Sequence, residues 1–352
     1  MDERRLRSLL DRFPDTHVLV VGDYFLDRYL ILDRALSEVS LETGLEAYQV
    51  VDVRCSPGAA GTVTSNLRAL DVQVTALGVI GEDGMGYELL RGLRERGVNV
   101  APLIQVGGRF TPTYTKPMLR EADGHEHEIH RMDIKNRQPL PPELEEQIIA
   151  RLREWIDRVD GIIVADQVPE RNCGTVTDRV RSVLGELALS HPQVTIAADS
   201  RTRIGEFRHV IVKPNAREAT LALYPDRVTE QACPELAEGC ARRLYQRNKK
   251  PVFLTVGADG ILVFDQDGMT HVPGIRVTGP IDIVGAGDST MAGIVSSLCC
   301  GASHAEAAMI GNLVASITIQ QIGTTGTATR EQVIARFTLY KGHTIKQKGS
   351  IR

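Results

Sequence analysis

The chain has 352 residues, 42% hydrophobic and 24% charged, with a formal net charge of −4, the balance of a soluble globular protein long enough for one large core. A mildly acidic chain has no global positive field to gather nucleic acid or anionic membrane, so the expected partners are small molecules and further copies of itself. No run of about 18 uncharged apolar residues occurs, and the first residues do not read as a signal peptide. The six cysteines (Cys55, Cys173, Cys233, Cys240, Cys299, Cys300) are scattered without a CxxC pair, so a cytoplasmic protein with reduced thiols is expected.

In chain order, residues 4–13 have helical periodicity, and His17 to Gly22 is a short apolar, β-branched run ending at a glycine, which predicts a buried strand. Segments 72–79, 161–165, 194–198, 209–212 and 251–256 share that form. Helical patterns at 84–97, 141–157, 175–190 and 228–248 lie between most of them, and such alternation predicts a mostly parallel sheet with helices on both faces. Two stretches, 45–53 and 111–132, instead alternate apolar and polar residues, as half-exposed strands do. They are expected to meet in a small β-sheet lid inserted in a single domain spanning 1–352. A hairpin over 260–264 and 269–272, then helices at 286–300, 303–321 and 329–340, complete the prediction.

The strongest chemical signal is Asp282-Ile-Val-Gly285-Ala286-Gly287-Asp288 at the head of an apolar helix. Small residues there let backbone N–H groups approach an anion, and the helix start adds partial positive charge. Asp288 is then placed to act as a base, although an aspartate at a helix start also serves as a cap. Lys213-Pro-Asn215-Ala-Arg-Glu218 follows a predicted strand and opens a helix, which directs Asn215 toward phosphate and Glu218 toward hydrated Mg²⁺. Thr255-Val-Gly257-Ala-Asp-Gly260 sits at the carboxyl end of another strand, where open α/β sheets bind ligands. Neither the GxxxxGK[ST] nor the GxGxxG phosphate loop is present.

With Ser56-Pro-Gly58-Ala-Ala-Gly61 and Gly78-Val-Ile-Gly81-Glu-Asp83-Gly84, these motifs resemble the ribokinase-like, or PfkB, carbohydrate kinases over nearly the whole chain. Gly22-Asp-Tyr-Phe-Leu-Asp-Arg-Tyr29, Thr115-Lys116 and His130-Arg-Met-Asp133 look most like the members that phosphorylate heptose 7-phosphate at its anomeric hydroxyl. The resemblance implies ATP and Mg²⁺, a possible monovalent cation near Asp282, a homodimer through the lid, and a sugar-phosphate acceptor. It makes Asp288 the general base and Gly285, Ala286 and Gly287 the anion hole. It places Asp23, Asp27, Gly58, Lys116, Arg131, Asp166 and Arg201 on the acceptor, and Lys213, Asn215, Glu218, Thr255, Gly257, Gly260 and Asn312 on the nucleotide, with Glu218 reaching the metal through water. A nucleoside or other small-alcohol kinase of the same fold, and a non-catalytic sugar-binding regulator, are the alternatives.

Several positions depart from the family pattern. The usual Gly-Gly pair is Gly58-Ala59, and the asparagine common a few residues later is Thr62. The heptose kinases' Asp-Tyr-x-Lys-Gly is Asp166-Gln-Val-Pro-Glu170, and their Asp-Pro-Lys is Asp199-Ser-Arg201. The triplet His125, His127 and His130 could present two imidazoles to a metal, but an exposed charged strand is the plainer expectation. Cys299-Cys300 reads as packing, and the basic tail from 341 to 352 as a solvated end.

Overall fold

Strand β1 (His17–Gly22) shows how this sequence builds the core. Its side chains alternate between two hydrophobic layers, Val18 and Val20 entering one and Leu19 and Val21 the other. An uninterrupted apolar run is therefore required, since both faces are buried. The computed structural model describes residues 1–227, 234–323 and 325–349.

The remaining strands are β2 (Tyr24–Val39), β3 (Glu46–Ala59), β4 (Gln73–Leu77), β5 (Val79–Gly81), β6 (Ile104–Val106), β7 (Thr113–Arg120), β8 (Glu126–Glu128), β9 (Met132–Ile134), β10 (Gly161–Asp166), β11 (Thr195–Ser200), β12 (Ile211–Val212), β13 (Val252–Thr255), β14 (Ile261–Asp265) and β15 (Gly268–Val272). The main sheet has eight strands in the order β15-β14-β13-β12-β11-β10-β1-β4. It is parallel from β4 to β13, and β14 and β15 add the expected antiparallel hairpin. Helices Ala60–Ala69, Gly84–Glu95, Ala286–Cys299 and His304–Thr318 contribute to one core layer, and Pro142–Trp155, Asp178–Ser190 and Pro234–Asn248 to the other. Residues 228–233 of the expected helix 228–248, including Cys233, lie outside the described residues, as do 350–352 of the basic tail.

The lid is a second sheet of five strands, and here one expectation needs correction. Segments 45–53 and 111–132 do not pair with each other: the order is β3-β2-β7-β8, with β9 also on β7, so β2 lies between them. Sequence analysis assigned no strand to 24–39, although β2 is sixteen residues long. Its pattern is irregular because its first part is buried while its outer half is exposed, and two register shifts against β3 break the period of two. The stretch 111–132 is also divided, into β7, a turn and β8.

No described helix is long and apolar enough to cross a membrane.

Candidate active site

Asp23, Asp166, Asp199, Lys213 and Thr255 all stand at or just before or after the carboxyl ends of parallel strands, where a doubly covered sheet leaves a crevice. Helix Ala286–Cys299 points its N-terminus into the same crevice. Gly285 precedes it with φ +78°, a left-handed conformation suited to glycine. A Cβ there would come within 3.0 Å of Thr325 Cγ2 and 3.3 Å of Thr62 Cγ2, so Thr62 borders the loop. The Ala286 amide donates to the Ile283 carbonyl (3.1 Å). Among the described residues, the Gly287 and Asp288 amides have no such backbone acceptor, and these are the N–H groups a helix start leaves for an anion.

Asp288 is half-buried on the crevice floor. Burial pushes its carboxyl up to about 7, helped by the like charges of Asp199 and Asp27 and opposed by Lys213 and Arg201. A carboxyl raised that far can exchange a proton near neutrality. Lys213 Nζ lies 2.9 Å from Asp199 Oδ2, both side chains being largely buried. Asn215 and Glu218 form a reciprocal capping box: Glu218 N donates to Asn215 Oδ1 (2.9 Å) and Asn215 N to Glu218 Oε2 (2.8 Å). The capping box engages Glu218 Oε2. Burial first and Asp199 next push the Glu218 carboxyl up to about 7, against Lys213. Thr255 bridges to Asn215 at the adjacent strand end. Gly260 and Asn312 meet at one loop: a Cβ on Gly260 would fall 2.3 Å from Val272 O, and Asn312 Nδ2 donates to the Val272 and Pro273 carbonyls. Gly257, at φ +62°, faces open space. Asp282 accepts from Val284 N through Oδ1, just before the glycine loop.

On the lid side, a Cβ on Gly58 would lie 2.4 Å from Asp27 Oδ2, so glycine lets that carboxylate rest on the backbone. Lys116 is 3.5 Å from Asp27 Oδ1 and 3.2 Å from Tyr29 Oη. Arg131 bonds Asp133 (2.7 Å) and stacks 4.1 Å from the Tyr114 ring centre. Arg201 donates to Gln167 Oε1 (2.9 Å) and also acts on Tyr114 and Asp288. Of the three expected cations, Arg131 stacks on Tyr114, Arg201 acts on the same ring through its charge, and Lys116 pairs with Asp27.

Two residues expected at the acceptor have their carboxylates engaged by the protein's own donors. Asp23 is buried, and its oxygens accept from the amides of Gln167, Val168 and Thr175. Burial and the Asp166 charge push its carboxyl up to about 6 against those three bonds, so it clamps the segment after β10. Asp166 is likewise enclosed, bonded to Arg203 (2.9 Å) and Ser200 (2.6 Å). Asp199 and Tyr114 were not among the residues expected at the site; the position of Asp199 at a strand's carboxyl end was the available signal, whereas Tyr114 depends on lid packing. His125 and His127 stack at 6.0 Å, and no trio of metal-ligating side chains is assembled among the described residues.

Residues 16–330 match the profile of the pfkB family carbohydrate kinases. The chain is 30% identical over 342 residues to bifunctional protein HldE of Trichlorobacter lovleyi, covering 96% of this chain, and 27% identical over 337 residues to that of Geotalea uraniireducens, covering 95%. It spans 66% of the length of each of these relatives. Among solved structures, phosphofructokinase-2 from Escherichia coli in complex with potassium superposes with a TM-score of 0.67 at 18% identity, over 93% of this chain and 99% of that one. Ribokinase from Cryptococcus neoformans in complex with ADP gives 0.63 at 19%, over 91% and 99%. Ribokinase from Arabidopsis thaliana complexed with ribose and ATP gives 0.64 at 16%, over 91% and 98%. The fold is thus ribokinase-like, and the chain belongs to the pfkB family of carbohydrate kinases, enzymes that transfer phosphoryl groups to sugars.

Proposed function

We propose that this kinase transfers the γ-phosphoryl group of ATP to a sugar that already carries a phosphate, with D-glycero-D-manno-heptose 7-phosphate and its anomeric hydroxyl the first candidate. The observation that carries this reading is the set of cations around Tyr114 and Asp27: Arg131 stacks on Tyr114, Lys116 pairs with Asp27, and the charge of Arg201 acts on both Tyr114 and Asp288. Arginine suits a distal phosphate because its planar fork binds two oxygens.

Asp288 accepts the proton of the attacking hydroxyl, and its elevated pKa keeps it basic enough to do so near neutral pH. The Gly287 and Asp288 amides and the helix start stabilise charge on the transferring group, where Gly287 leaves room for it. Lys213, Asn215, Thr255, Gly257, Gly260 and Asn312 would border the nucleotide, and Glu218 would hold Mg²⁺ through water. Bound Mg²⁺ would neutralise phosphate charge. ATP and sugar phosphates are intracellular metabolites, and we assign the reaction to the cytoplasm on that ground. The exposed apolar residues Val39, Leu41, Leu45 and Val50 of the lid support a homodimer in which a second copy covers them.

One observation favours a plain sugar or nucleoside acceptor: Lys116 and Arg131 already have carboxylate partners. The test compares kcat/KM for phosphorylated and unphosphorylated sugars in the parent and in Arg201→Ala. We expect the parent to prefer the phosphorylated sugar and Arg201→Ala to lose at least about tenfold on it alone, as charge-assisted bonds of this kind are worth. Preference for the unphosphorylated sugar, or an equal loss on both, transfers the assignment to the second reading.

A further inference from the structure

Asp199 is a largely buried charge that none of the steps above uses. Strands β11 and β12 run parallel with Ala198 opposite Val212, so the next residue on each, Asp199 and Lys213, emerges side by side at the crevice. The backbone fixes them there, since Lys213 N donates to the Ala198 carbonyl (3.0 Å). The turn after Asp199 is also pinned: Ser200 Oγ donates to Asp166, Arg203 N donates to Ser200 Oγ (3.0 Å), and Arg201 N donates to the Asp166 carbonyl (3.2 Å). On this platform the Lys213 ammonium meets Asp199 Oδ2 at 2.9 Å. The pair sits against Gly287, for a Cβ built there would lie 3.5 Å from Lys213 Nζ and 3.9 Å from Asp199 Oδ2.

Three carboxylates compete for this one ammonium, because Asp199, Glu218 and Asp288 all act on it. A buried ammonium makes its strongest bond to the nearest and best-held carboxylate. Were that carboxylate Asp288, the base would be neutralised by its own neighbour. We propose that Asp199 is a positioning residue for phosphoryl transfer: it holds the Lys213 ammonium beneath Gly287, facing the incoming phosphoryl oxygens, and keeps it off Asp288. The inference rests on the base and anion-hole assignment above. Asp199 touches no reacting atom and acts through Lys213.

A double-mutant cycle tests it, using Asp199→Asn, Lys213→Met and the pair in the full chain. ATP turnover is measured on whichever sugar the acceptor comparison selects, with ADP affinity and melting temperature for each protein. We expect Asp199→Asn to lower kcat about 10²-fold, the scale of one preorganised charge, while ADP affinity changes less than about threefold. In the Lys213→Met background the same change should cost less than about threefold, since no ammonium remains to be misdirected. The groups acting on Asp288 are Asp199 on β11, Arg201 just beyond it, Lys213 after β12 and Asp27 on β2. Removing the Asp199 charge and turning Lys213 toward the base both favour ionised Asp288, so the acid limb of kcat should move to lower pH. A purely structural role would not move that limb. If Asp199→Asn does not fold, Asp199→Glu decides: it keeps the carboxylate and is expected to hold kcat within about tenfold and the limb in place. Losses that multiply independently across the cycle, or an unmoved acid limb, overturn the proposal. Failure of the base assignment itself is seen separately, as turnover retained by Asp288→Asn in the same assay.

Discussion

Replacing Ala59 by glycine should make the protein more stable, although glycine ordinarily weakens a fold. Ala59 has φ 54° and ψ −116°, where a side chain is strained by about 1–2 kcal/mol. The strain is imposed from both sides. Tyr24 pairs with Ala59 as the last rung of the β2–β3 ladder, and the Ala60 amide already donates to the Asp23 carbonyl (3.0 Å) as helix Ala60–Ala69 begins. The chain turns from strand to helix with no intervening residue. Against the relief stands the added freedom of glycine in the unfolded chain, about 0.4–1 kcal/mol. The net gain is about 0.5–1 kcal/mol. Equilibrium urea unfolding reads this as a rise in midpoint of about 0.2–0.3 M, for a slope of about 3 kcal/mol/M. Ala59→Val, which places a branched side chain in the same conformation, should lower the midpoint by more than that. An unchanged or lower midpoint for Ala59→Gly would refute the reasoning, because it would mean that the alanine sits there without strain.

Asp288→Asn should lower kcat by about 10²–10⁴ while ADP binding survives, and a loss under about tenfold would remove its role as base. In the parent, activity needs ionised Asp288, whose carboxyl is raised to about 7. Turnover should therefore rise with pH up to that value and fall about tenfold per unit below it, and any residual activity of Asp288→Asn should lack that limb. Leu41→Lys with Val39→Lys should convert a sedimenting dimer to a monomer, since both side chains are exposed on the lid; a parent that sediments as a monomer at micromolar concentration would contradict the lid dimer.

The main sheet was legible because each of its parallel strands is buried on both faces and so appears as an unbroken apolar run, as at residues 17–22 and 161–165. The glycine loop was legible because three small residues in a row before an apolar helix stand out in the sequence, and at Gly285 the left-handed φ of +78° explains the glycine. The lid was read less well. Only part of β2 is buried, and its two register shifts remove the periodicity by which a strand is recognised. Asp23 and Asp166 were placed on the acceptor by the family resemblance of their motifs. What decides their direction is the course of the 166–175 segment, which turns its amides onto Asp23, and the buried Arg203, which draws in Asp166. Neither contact has a local signature, as the partners lie 144, 152 and 37 residues apart.

The length of β2 has a mechanical consequence. It leaves the core one residue after β1 ends, and β3 returns straight into helix Ala60–Ala69, so this pair of lid strands is joined to the core through two adjacent pivots, Asp23 and Ala59-Ala60, that are bonded to each other. A load applied at the outer ends of these strands can be taken up by bending at the register shifts near Ile31 and Asp33, or delivered as torque to the pivots. One pivot carries the carboxylate that clamps the segment after β10, and the other the start of a helix whose Thr62 lies against Gly285. The outer lid is thus continuous, through two short chain turns, with the Asp23 clamp and with the helix whose Thr62 borders the glycine loop.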